Sequence, residues 1–385
     1  MNPLENKKIC VFTIHRSRDV RVFNRHCLSL VRLGFDVTLI AVSETGSYQA
    51  EGVNVIGITR WKGLMARIRT LFRIIGMAYR QKADVYHFHD PDFLVLAPWL
   101  RLFTGKPVVY DIHEFYTRQI PLKLPDVPLL RPIAAGVIWL AETVLGVMCG
   151  SVSAVYMEHV NRFRKFGCPA VWTPNFASYE DFYPEPVTDE LLEKRKNTVI
   201  HTGTLSPVRG SLVLLDIARE LKKQRPEIEV IVTKRFWSKY QEDSMMEKMQ
   251  NPEYENVITF VPHMSGTELP VFVRNGGVGL SVLQHHGEYV LPSHVPTKFF
   301  EYMSQGLPIV ASDMPSSYEF VKDENVGYVV KADDIDAYVA AILKLIDNQD
   351  IVREMARNGQ KAFAEKYNWK IVEQNLGRFY TKLIG

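Results

Sequence analysis

The chain has 385 residues, 46% of them hydrophobic and 23% charged, with a formal net charge of +3. This composition excludes a disordered or low-complexity chain, and the length predicts two domains of about 150 to 200 residues that each bury a core. The four cysteines lack metal-ligand spacing, which disfavours a zinc-stabilised or disulfide-rich protein.

Basic residues concentrate in the first half of the chain and acidic residues in the second. This asymmetry predicts that the first domain faces an anionic surface, either a membrane or a nucleic acid. No basic patch interleaved with aromatic residues accompanies it, so we do not expect nucleic-acid binding. The first residues lack the long apolar run of a signal peptide, and we therefore expect a cytoplasmic protein.

The first elements predict a βαβ unit, with a strand at 8–14, a helix at 22–33 and a strand at 35–42. Such units form parallel sheets that bind ligands at the carboxyl ends of their strands. The loop between the first strand and the helix has no GxGxxG pattern, which disfavours a dinucleotide-binding dehydrogenase. Three arginines in this region are candidates to bind an anionic acceptor, with solvated loop charges as the alternative: Arg16, Arg18 and Arg21.

Residues 60–82 contain seven Lys or Arg and no acidic residue. Their apolar residues recur at helical spacing, which is typical of a helix that lies in a membrane interface beside anionic lipids. The alternative is a helix that covers one face of the sheet and has a solvated basic rim. The residues on the apolar face are Leu64, Ile68, Leu71, Phe72, Ile75 and Tyr79.

Two predicted strands of the first domain end in charged motifs. The strand at 83–89 is followed by Asp90 and Asp92, and we favour a turn over a metal site there because no ligand cluster supports the pair. The strand at 106–110 is followed by the sequence DIHE at 111–114. His113 is therefore a candidate to donate a hydrogen bond to a substrate hydroxyl or to a leaving group, although a lone histidine is more often structural.

Residues 132–152 are almost uncharged and long enough to span a membrane, with Glu142 near their middle. A carboxylate at the centre of a bilayer costs about 2.5 to 3.5 kcal/mol, so we expect a buried helix of the first domain instead. Residues 176–196 are rich in proline and acidic residues, and they are predicted to be the linker.

The second domain opens with a strand at 198–202 and a loop at 203–210 that feeds a helix from Ser211. Glycines before a helix suit phosphate contact through backbone amides, to which Arg209 adds a charge. Adjacent His285 and His286 seldom aim at one ion, and no ligand of suitable spacing supports them, so we expect no metal and no cofactor.

A second helix start lies at 296–301, where Pro296 and Thr297 precede Lys298. The amides of such a start and the Lys298 charge suit a diphosphate, and Glu301 lies one turn further along the same face. A carboxylate there could accept hydrogen bonds from the hydroxyls of a ribose. The alternative is an ordinary surface helix packed through Phe299, Phe300 and Tyr302.

The segments PTKFFEYM at 296–303 and GLPIVAS at 306–312, together with the loop at 203–210, resemble the nucleotide-sugar signature of the family 4 retaining glycosyltransferases. Asp19 and Arg21 resemble the D-x-R opening of a bacterial surface-polysaccharide branch. The chain departs from the family pattern at Ser293, where many members have a second Glu, and at Thr204, where members often have Arg.

The resemblance implies the α/β GT-B fold, with two Rossmann-like domains that face each other across a cleft. The acceptor domain would comprise residues 1–180 with a returning C-terminal helix at 368–385, and the nucleotide-sugar domain residues 181–367. The implied catalytic residues are His113, Arg209 and Lys298. The implied donor-binding residues are Gly203, Thr204, Arg209, Pro262, Thr297, Lys298 and Glu301.

The implied reaction is the transfer of a hexosyl group from a UDP- or GDP-sugar to a glycan or lipid-linked acceptor in polysaccharide biosynthesis. It would proceed with retention and without a metal, at the inner face of the cell membrane through residues 60–82. Two alternatives stay open. One is a nucleotide-sugar epimerase on the same fold, and the other is a binding or scaffold protein that has lost activity.

Overall fold

A computed structural model describes residues 7–122, 124, 127, 129–264 and 266–385. The chain divides into two compact units, of which the first comprises residues 1–175 and 370–385 and the second residues 176–369. The C-terminal helix is thus part of the first unit. It is held there by contacts such as Arg32 with Glu373 and His87 with Tyr380.

The first unit contains an eight-stranded sheet in the order β3-β4-β2-β1-β5-β6-β7-β8. Every pairing is parallel except that of β3 with β4. The central strands are buried on both faces, as expected of a parallel sheet covered by helices. The strands are β1 (Lys8–Arg16), β2 (Asp36–Val42), β3 (Tyr48–Ala50), β4 (Val53–Ile58), β5 (Val85–Phe88), β6 (Val108–Ile112), β7 (Gly150–Ala154) and β8 (Ala170–Trp172).

The second unit contains a six-stranded, fully parallel sheet in the order β11-β10-β9-β12-β13-β14. The strand order reverses at β9, which lies between β10 and β12. Open α/β sheets bind ligands beyond the carboxyl ends of the strands at such a reversal. The strands are β9 (Thr198–His201), β10 (Glu229–Lys234), β11 (Thr259–Pro262), β12 (Val278–Ser281), β13 (Ile309–Ser312) and β14 (Gly327–Val330).

The helices alternate with the strands and cover both sheets. In chain order they are α1 (Leu28–Arg32), α2 (Leu64–Arg80), α3 (Ala97–Thr104), α4 (Tyr116–Leu122), α5 (Leu130–Cys149), α6 (Met157–Lys165), α7 (Asp189–Arg195), α8 (Ser211–Gln224), α9 (Lys239–Lys248), α10 (Glu268–Arg274), α11 (Thr297–Ser304), α12 (Pro315–Ser317), α13 (Ile335–Ile346), α14 (Gln349–Glu365) and α15 (Trp369–Ile384).

Two segments differ from the sequence prediction in form. The expected helix at 22–33 is a π-helix at Val20–Cys27 followed by α1, and the Asp19 side chain accepts from the amides of Arg21 and Val22 at its start. The expected linker at 176–196 packs into the second unit. Within it Arg195 is buried and donates to three backbone carbonyls, those of Arg274, Gln305 and Gly306.

The prediction that residues 132–152 form a buried helix is wrong. The helix is present as α5, and it is long and apolar enough to cross a membrane, but only 22% of its most apolar stretch is buried inside the protein. The composition of an uncharged helix does not distinguish a core helix from one that faces another apolar phase. Sequence composition therefore predicts the helix correctly but does not predict what surrounds it.

Candidate active site

The loop that follows β9 requires glycine at both ends. Gly203 has φ +102° and Gly210 has φ +77°, a region that residues with a side chain rarely adopt. A Cβ atom on Gly210 would lie 1.8 Å from the backbone oxygen of Val282. The Gly203 amide donates to Thr233 Oγ1 at 3.2 Å, which fixes the start of the loop, and Thr204 follows it half-buried.

Lys298 extends from α11 to this loop. Its Nζ atom would lie 3.8 Å from a Cβ placed on Gly203, and it donates to Nε2 of His201 at 2.9 Å. Burial of the charged end, reinforced by Arg209 and opposed by Glu301, lowers the pKa of Lys298 to about 7. Burial and then Lys298 hold the pKa of His201 well below its usual value, so His201 is the neutral acceptor of this pair.

A buried hydrogen bond fixes α11 against the end of β9. The Thr202 amide donates to Tyr302 Oη at 3.0 Å. Pro296 occupies the N-cap position and has no side-chain acceptor, so it leaves the first amides of α11 for another partner. The helix buries its aromatic face, whereas Thr297, Lys298 and Glu301 are half-buried on the other side. The two turns predicted to contact phosphate are therefore adjacent.

Arg209 is anchored rather than free to move. Its Nε donates to Tyr289 Oη at 3.0 Å, and its guanidinium carbon lies 5.7 Å from the centre of the Trp237 ring. Its charge lowers the pKa of both Lys298 and His201, which places it in the same electrostatic environment. Positive charge is thus concentrated at the carboxyl end of β9. Glu301 is a nearby carboxylate that partly offsets it by raising the pKa of Lys298.

Pro262 lies apart from this group in the sheet order. It ends β11, which is separated from β9 by β10, and it pairs in register with Lys234. His263 follows it and accepts a hydrogen bond from Arg235 Nη1 at 3.1 Å. Pro262 is exposed at the same edge of the sheet as the loop, because the carboxyl ends of parallel strands share one edge.

The first unit has its own charged cluster, centred on Asp111 at the end of β6. Asp111 is fully buried and accepts from Arg21 through two bonds of 3.0 Å and from Ser153 at 2.7 Å. Burial alone would raise its pKa, but the charge of Arg21, assisted by His26 and His89, holds it well below its usual value. The carboxylate is therefore ionised and fully paired.

His113 stands at the edge of this cluster. Its Nδ1 lies 3.5 Å from Asp111 Oδ1, and its ring is half-buried 5.7 Å from that of His15. His15 in turn contacts Asp90 at 3.1 Å, and this hydrogen bond raises the pKa of His15. The predicted turn at Asp90 is confirmed, since a 3₁₀ turn at Pro91–Phe93 follows it.

Four buried side chains in this cluster could meet at one ion: His26, His87, His89 and Asp111, whose ligand atoms lie within 4.8 Å of one another. Three imidazoles and a carboxylate are a plausible ligand set for zinc. However, the Arg21 guanidinium already pairs with both carboxylate oxygens, so an ion would add two charges beside a buried cation. The cluster therefore fits a metal poorly.

The three arginines predicted to bind an acceptor differ in their surroundings. Arg21 is nearly buried and is fully used by Asp111, Thr173 and Asn175, so its predicted role as an open anion ligand does not fit this geometry. The sequence could not show this because Asp111 is 90 residues away. Arg18 pairs with Glu51 at 2.7 Å, and Arg16 is exposed at the end of β1.

Several site residues were not predicted. His201 and Tyr289 hold the side chains of Lys298 and Arg209, and Asp111 holds Arg21 and faces His113. A histidine that ends a buried strand, as His201 does, is the one sequence feature that could have singled it out.

The two Rossmann-like units have the architecture of the GT-B fold, and the matches to family models show that the class is that of the glycosyltransferases. The model of the glycosyl transferases group 1 family matches residues 186–362, and that of the glycosyl transferase 4-like domain matches residues 20–171. The chain belongs to the family 4 glycosyltransferases with the GT-B fold, as the sequence motifs predicted.

The chain is 22% identical to a phosphatidyl-myo-inositol mannosyltransferase of Mycolicibacterium smegmatis over 94% of its length and 90% of that protein. It is 18% identical to the capsular polysaccharide biosynthesis glycosyltransferase CapM of Staphylococcus aureus, covering 99% and 98% of the two chains. Among solved structures, Anabaena HepE in complex with UDP has a TM-score of 0.71 at 12% identity, over 98% of this chain and all of that one.

Proposed function

We propose that this protein transfers a hexosyl group from a UDP- or GDP-sugar to a glycan or lipid-linked acceptor in polysaccharide or glycolipid synthesis. The transfer would retain the configuration of the anomeric carbon and need no metal. The observation that carries the proposal is the approach of Lys298 to Gly203 and His201. The named activities of the mannosyltransferase and CapM, and the UDP bound to HepE, agree with it.

The diphosphate would lie between the loop at Gly203 and Thr204 and the start of α11. Lys298 is only partly protonated near pH 7 in the free protein. A diphosphate beside it would raise its pKa, so that the amine becomes fully protonated. Arg209 would add a second cation, held in place by Tyr289. Fixed positive charge of this kind stabilises the leaving diphosphate as negative charge develops on it.

Glu301 and His113 would act on the sugars. Glu301 follows Lys298 by one turn on the half-buried side of α11, where its carboxylate can accept from the hydroxyls of the donor ribose. His113, beside the ionised Asp111, would donate to a sugar hydroxyl, and Pro262 would contact the nucleotide base. Asp111 Oδ1, which lies 3.5 Å from His113 Nδ1, would orient the imidazole and act as a positioning residue.

Calorimetry with UDP and GDP tests the donor site. We expect one of the two to bind, with about tenfold weaker affinity for Glu301→Ala, since loss of a charged hydrogen bond costs about 1.5 kcal/mol or more. Lys223→Ala, on the exposed side of α8, is the matched control. Absence of binding, or binding that Glu301→Ala does not change, would support an inactive scaffold instead. Product analysis without acceptor separates a transferase from an epimerase.

We further propose that α2 places the protein at the cytoplasmic face of an anionic membrane. Its exposed half has an apolar stripe that includes Leu64 and Phe72, 71% and 60% exposed, beside an exposed basic stripe that includes Arg69 and Arg73. Such a helix binds anionic lipid surfaces partly through charge. Flotation with vesicles that contain phosphatidylglycerol should recover the protein, and Arg69→Glu with Arg73→Glu should weaken that recovery.

A further inference from the structure

Helix α5 presents an uncharged face to the outside of the first unit. The helix has 20 residues, and half of them are exposed. None of the exposed residues is charged. Monomeric proteins rarely expose apolar patches larger than a few hundred Å², and larger ones mark interaction sites. The exposed residues of α5 are Leu130, Pro132, Ile133, Gly136, Val137, Trp139, Leu140, Ala141, Val144 and Met148.

Helix α3 continues this surface. Trp99, Leu102 and Phe103 are 56%, 69% and 70% exposed, and the rings of Trp99 and Phe103 stack 6.2 Å apart. Arg101 on α3 donates to the carbonyl of Met148 at 3.0 Å, which fixes α3 beside the end of α5. We call the exposed residues of these two helices the α3–α5 face.

The inner side of α5 is firmly packed, so the exposure is not a sign of a detached helix. Glu142 is buried and pairs with Arg162 of α6, and it also accepts from Tyr110 at 3.2 Å. Gly146 lies so close to Phe163 that an added Cβ would be 2.6 Å from the ring. Because α5 runs directly into β7 of the sheet, it lies along the unit and cannot cross a bilayer without removing that strand.

We propose that the α3–α5 face inserts into the hydrocarbon edge of one leaflet, so that the protein is monotopic and not merely held by charge. Uncharged residues with Trp99 and Trp139 at the surface suit this depth, because tryptophan favours the boundary between headgroups and acyl chains. This inference extends the proposed membrane contact of α2 and does not depend on which donor is bound.

The charges around the face favour a bilayer over a second copy of the chain. Arg101 is exposed beside α5, and Arg69 and Arg73 are exposed on α2, which packs against α3. A symmetric dimer through this face would bring these arginines toward their own copies, and like charges repel. Anionic headgroups around an inserted face would instead neutralise them.

Salt separates insertion from electrostatic adsorption, because about 1 M NaCl shortens the Debye length to about 3 Å. The full-length protein should stay on phosphatidylglycerol-containing vesicles in about 1 M NaCl and be released by detergent. Val137→Glu with Leu140→Glu should weaken vesicle binding at least about tenfold at that salt concentration, since charged residues disfavour hydrocarbon contact. Arg69→Glu with Arg73→Glu should reduce binding at low salt and leave the salt-resistant fraction.

Val271→Glu on α10 is the matched control, since it charges a residue that is 62% exposed in the second unit. Equal melting temperatures and nucleotide affinities would show that the variants fold. Complete release of the wild-type protein by salt, or vesicle binding that Val137→Glu with Leu140→Glu leaves unchanged, would overturn the proposal. So would sedimentation showing a dimer that these substitutions dissociate while flotation stays the same. Loss of sugar transfer alone would bear only on the proposed function.

Discussion

The two units treat buried charge in opposite ways. In the first, the Arg21 guanidinium meets Asp111 through two hydrogen bonds of 3.0 Å, and Asp90 meets His15. In the second unit, Lys298 faces the neutral His201, and burial lowers the pKa of Lys298 to about 7. Both regions lie at the carboxyl ends of parallel strands. In the first region, each named charge is paired with an opposite charge from the chain itself. In the second region, positive charge remains in excess.

Whether a buried cation can bind a ligand depends on whether it already has a partner of opposite charge. A buried cation that is already paired contributes to the fold and cannot accept a new anion without breaking that pair. A desolvated lysine beside an arginine is unfavourable until an anion binds, and the proposed diphosphate site would gain affinity in this way. The sequence predicted both Arg21 and Lys298 as anion ligands. The structure distinguishes them, because Arg21 is paired with a carboxylate and Lys298 contacts a neutral imidazole.

Removal of the Asp111 charge should have the largest effect on stability. Asp111→Asn keeps the shape of the side chain but leaves the Arg21 guanidinium buried without its counter-charge, and breaking such a pair costs about 3 to 5 kcal/mol. Chemical denaturation measures the free energy of unfolding. Asp189→Asn, which breaks the exposed contact with Arg353, is the control and should cost less than about 1 kcal/mol. If both variants lost the same free energy of unfolding, the buried pair would contribute no more to stability than the exposed one, and the prediction would be wrong.

Lys298→Met should have the next largest effect, on binding. It removes the cation at Gly203 while keeping an unbranched side chain, and a hydrogen bond to a charged group is worth about 1.5 to 3 kcal/mol, or about 10- to 150-fold in affinity. Calorimetric titration of UDP or GDP gives the ratio. Lys223→Met on the exposed side of α8 should bind like the wild type. If Lys298→Met bound UDP or GDP with the affinity of the wild type, Lys298 would not contact the diphosphate.

The pH dependence of binding tests the same lysine without mutation. Its pKa in the free protein is about 7, so the ammonium form that a diphosphate prefers is lost as pH rises through that value. Because a bound diphosphate raises this pKa further, affinity should be several-fold weaker at pH 8 than at pH 6. Calorimetry at both values provides the measurement. Lys298→Met should lack this dependence, and a wild-type affinity that is flat with pH would contradict the assignment.

Local patterns were enough to predict much of the fold and the conformation of the loop at 203–210. Apolar strands that alternate with helices gave both parallel sheets. The glycines at 203 and 210 and the Pro-Thr-Lys start of α11 marked the two turns that lie together in the structure. These features depend on backbone conformation within a few residues, where the sequence is most informative.

Other features depended on contacts between distant residues. Nothing near Arg21 in the sequence reveals Asp111 as its partner, and nothing near Lys298 reveals His201. The sequence of α5 suits a core helix as well as a surface one, because its apolar residues are found on nearly all sides. Whether such a helix is covered depends on the rest of the fold, and here most of it is not.

The smallest predicted effect concerns Arg18, which lies in the turn before the π-helix that contains Arg21. Arg18 pairs with Glu51, and both side chains are more than half exposed, so solvent screens their attraction. Arg18→Gln should therefore change the free energy of unfolding by less than about 1 kcal/mol, against several for loss of the Arg21 pair. Chemical denaturation of Arg18→Gln and of Arg21→Gln compares the free energy of unfolding lost at two arginines that are close in sequence but differ in burial. If the two losses were equal, burial would not decide which arginine supports the fold, and the comparison between the units would fail.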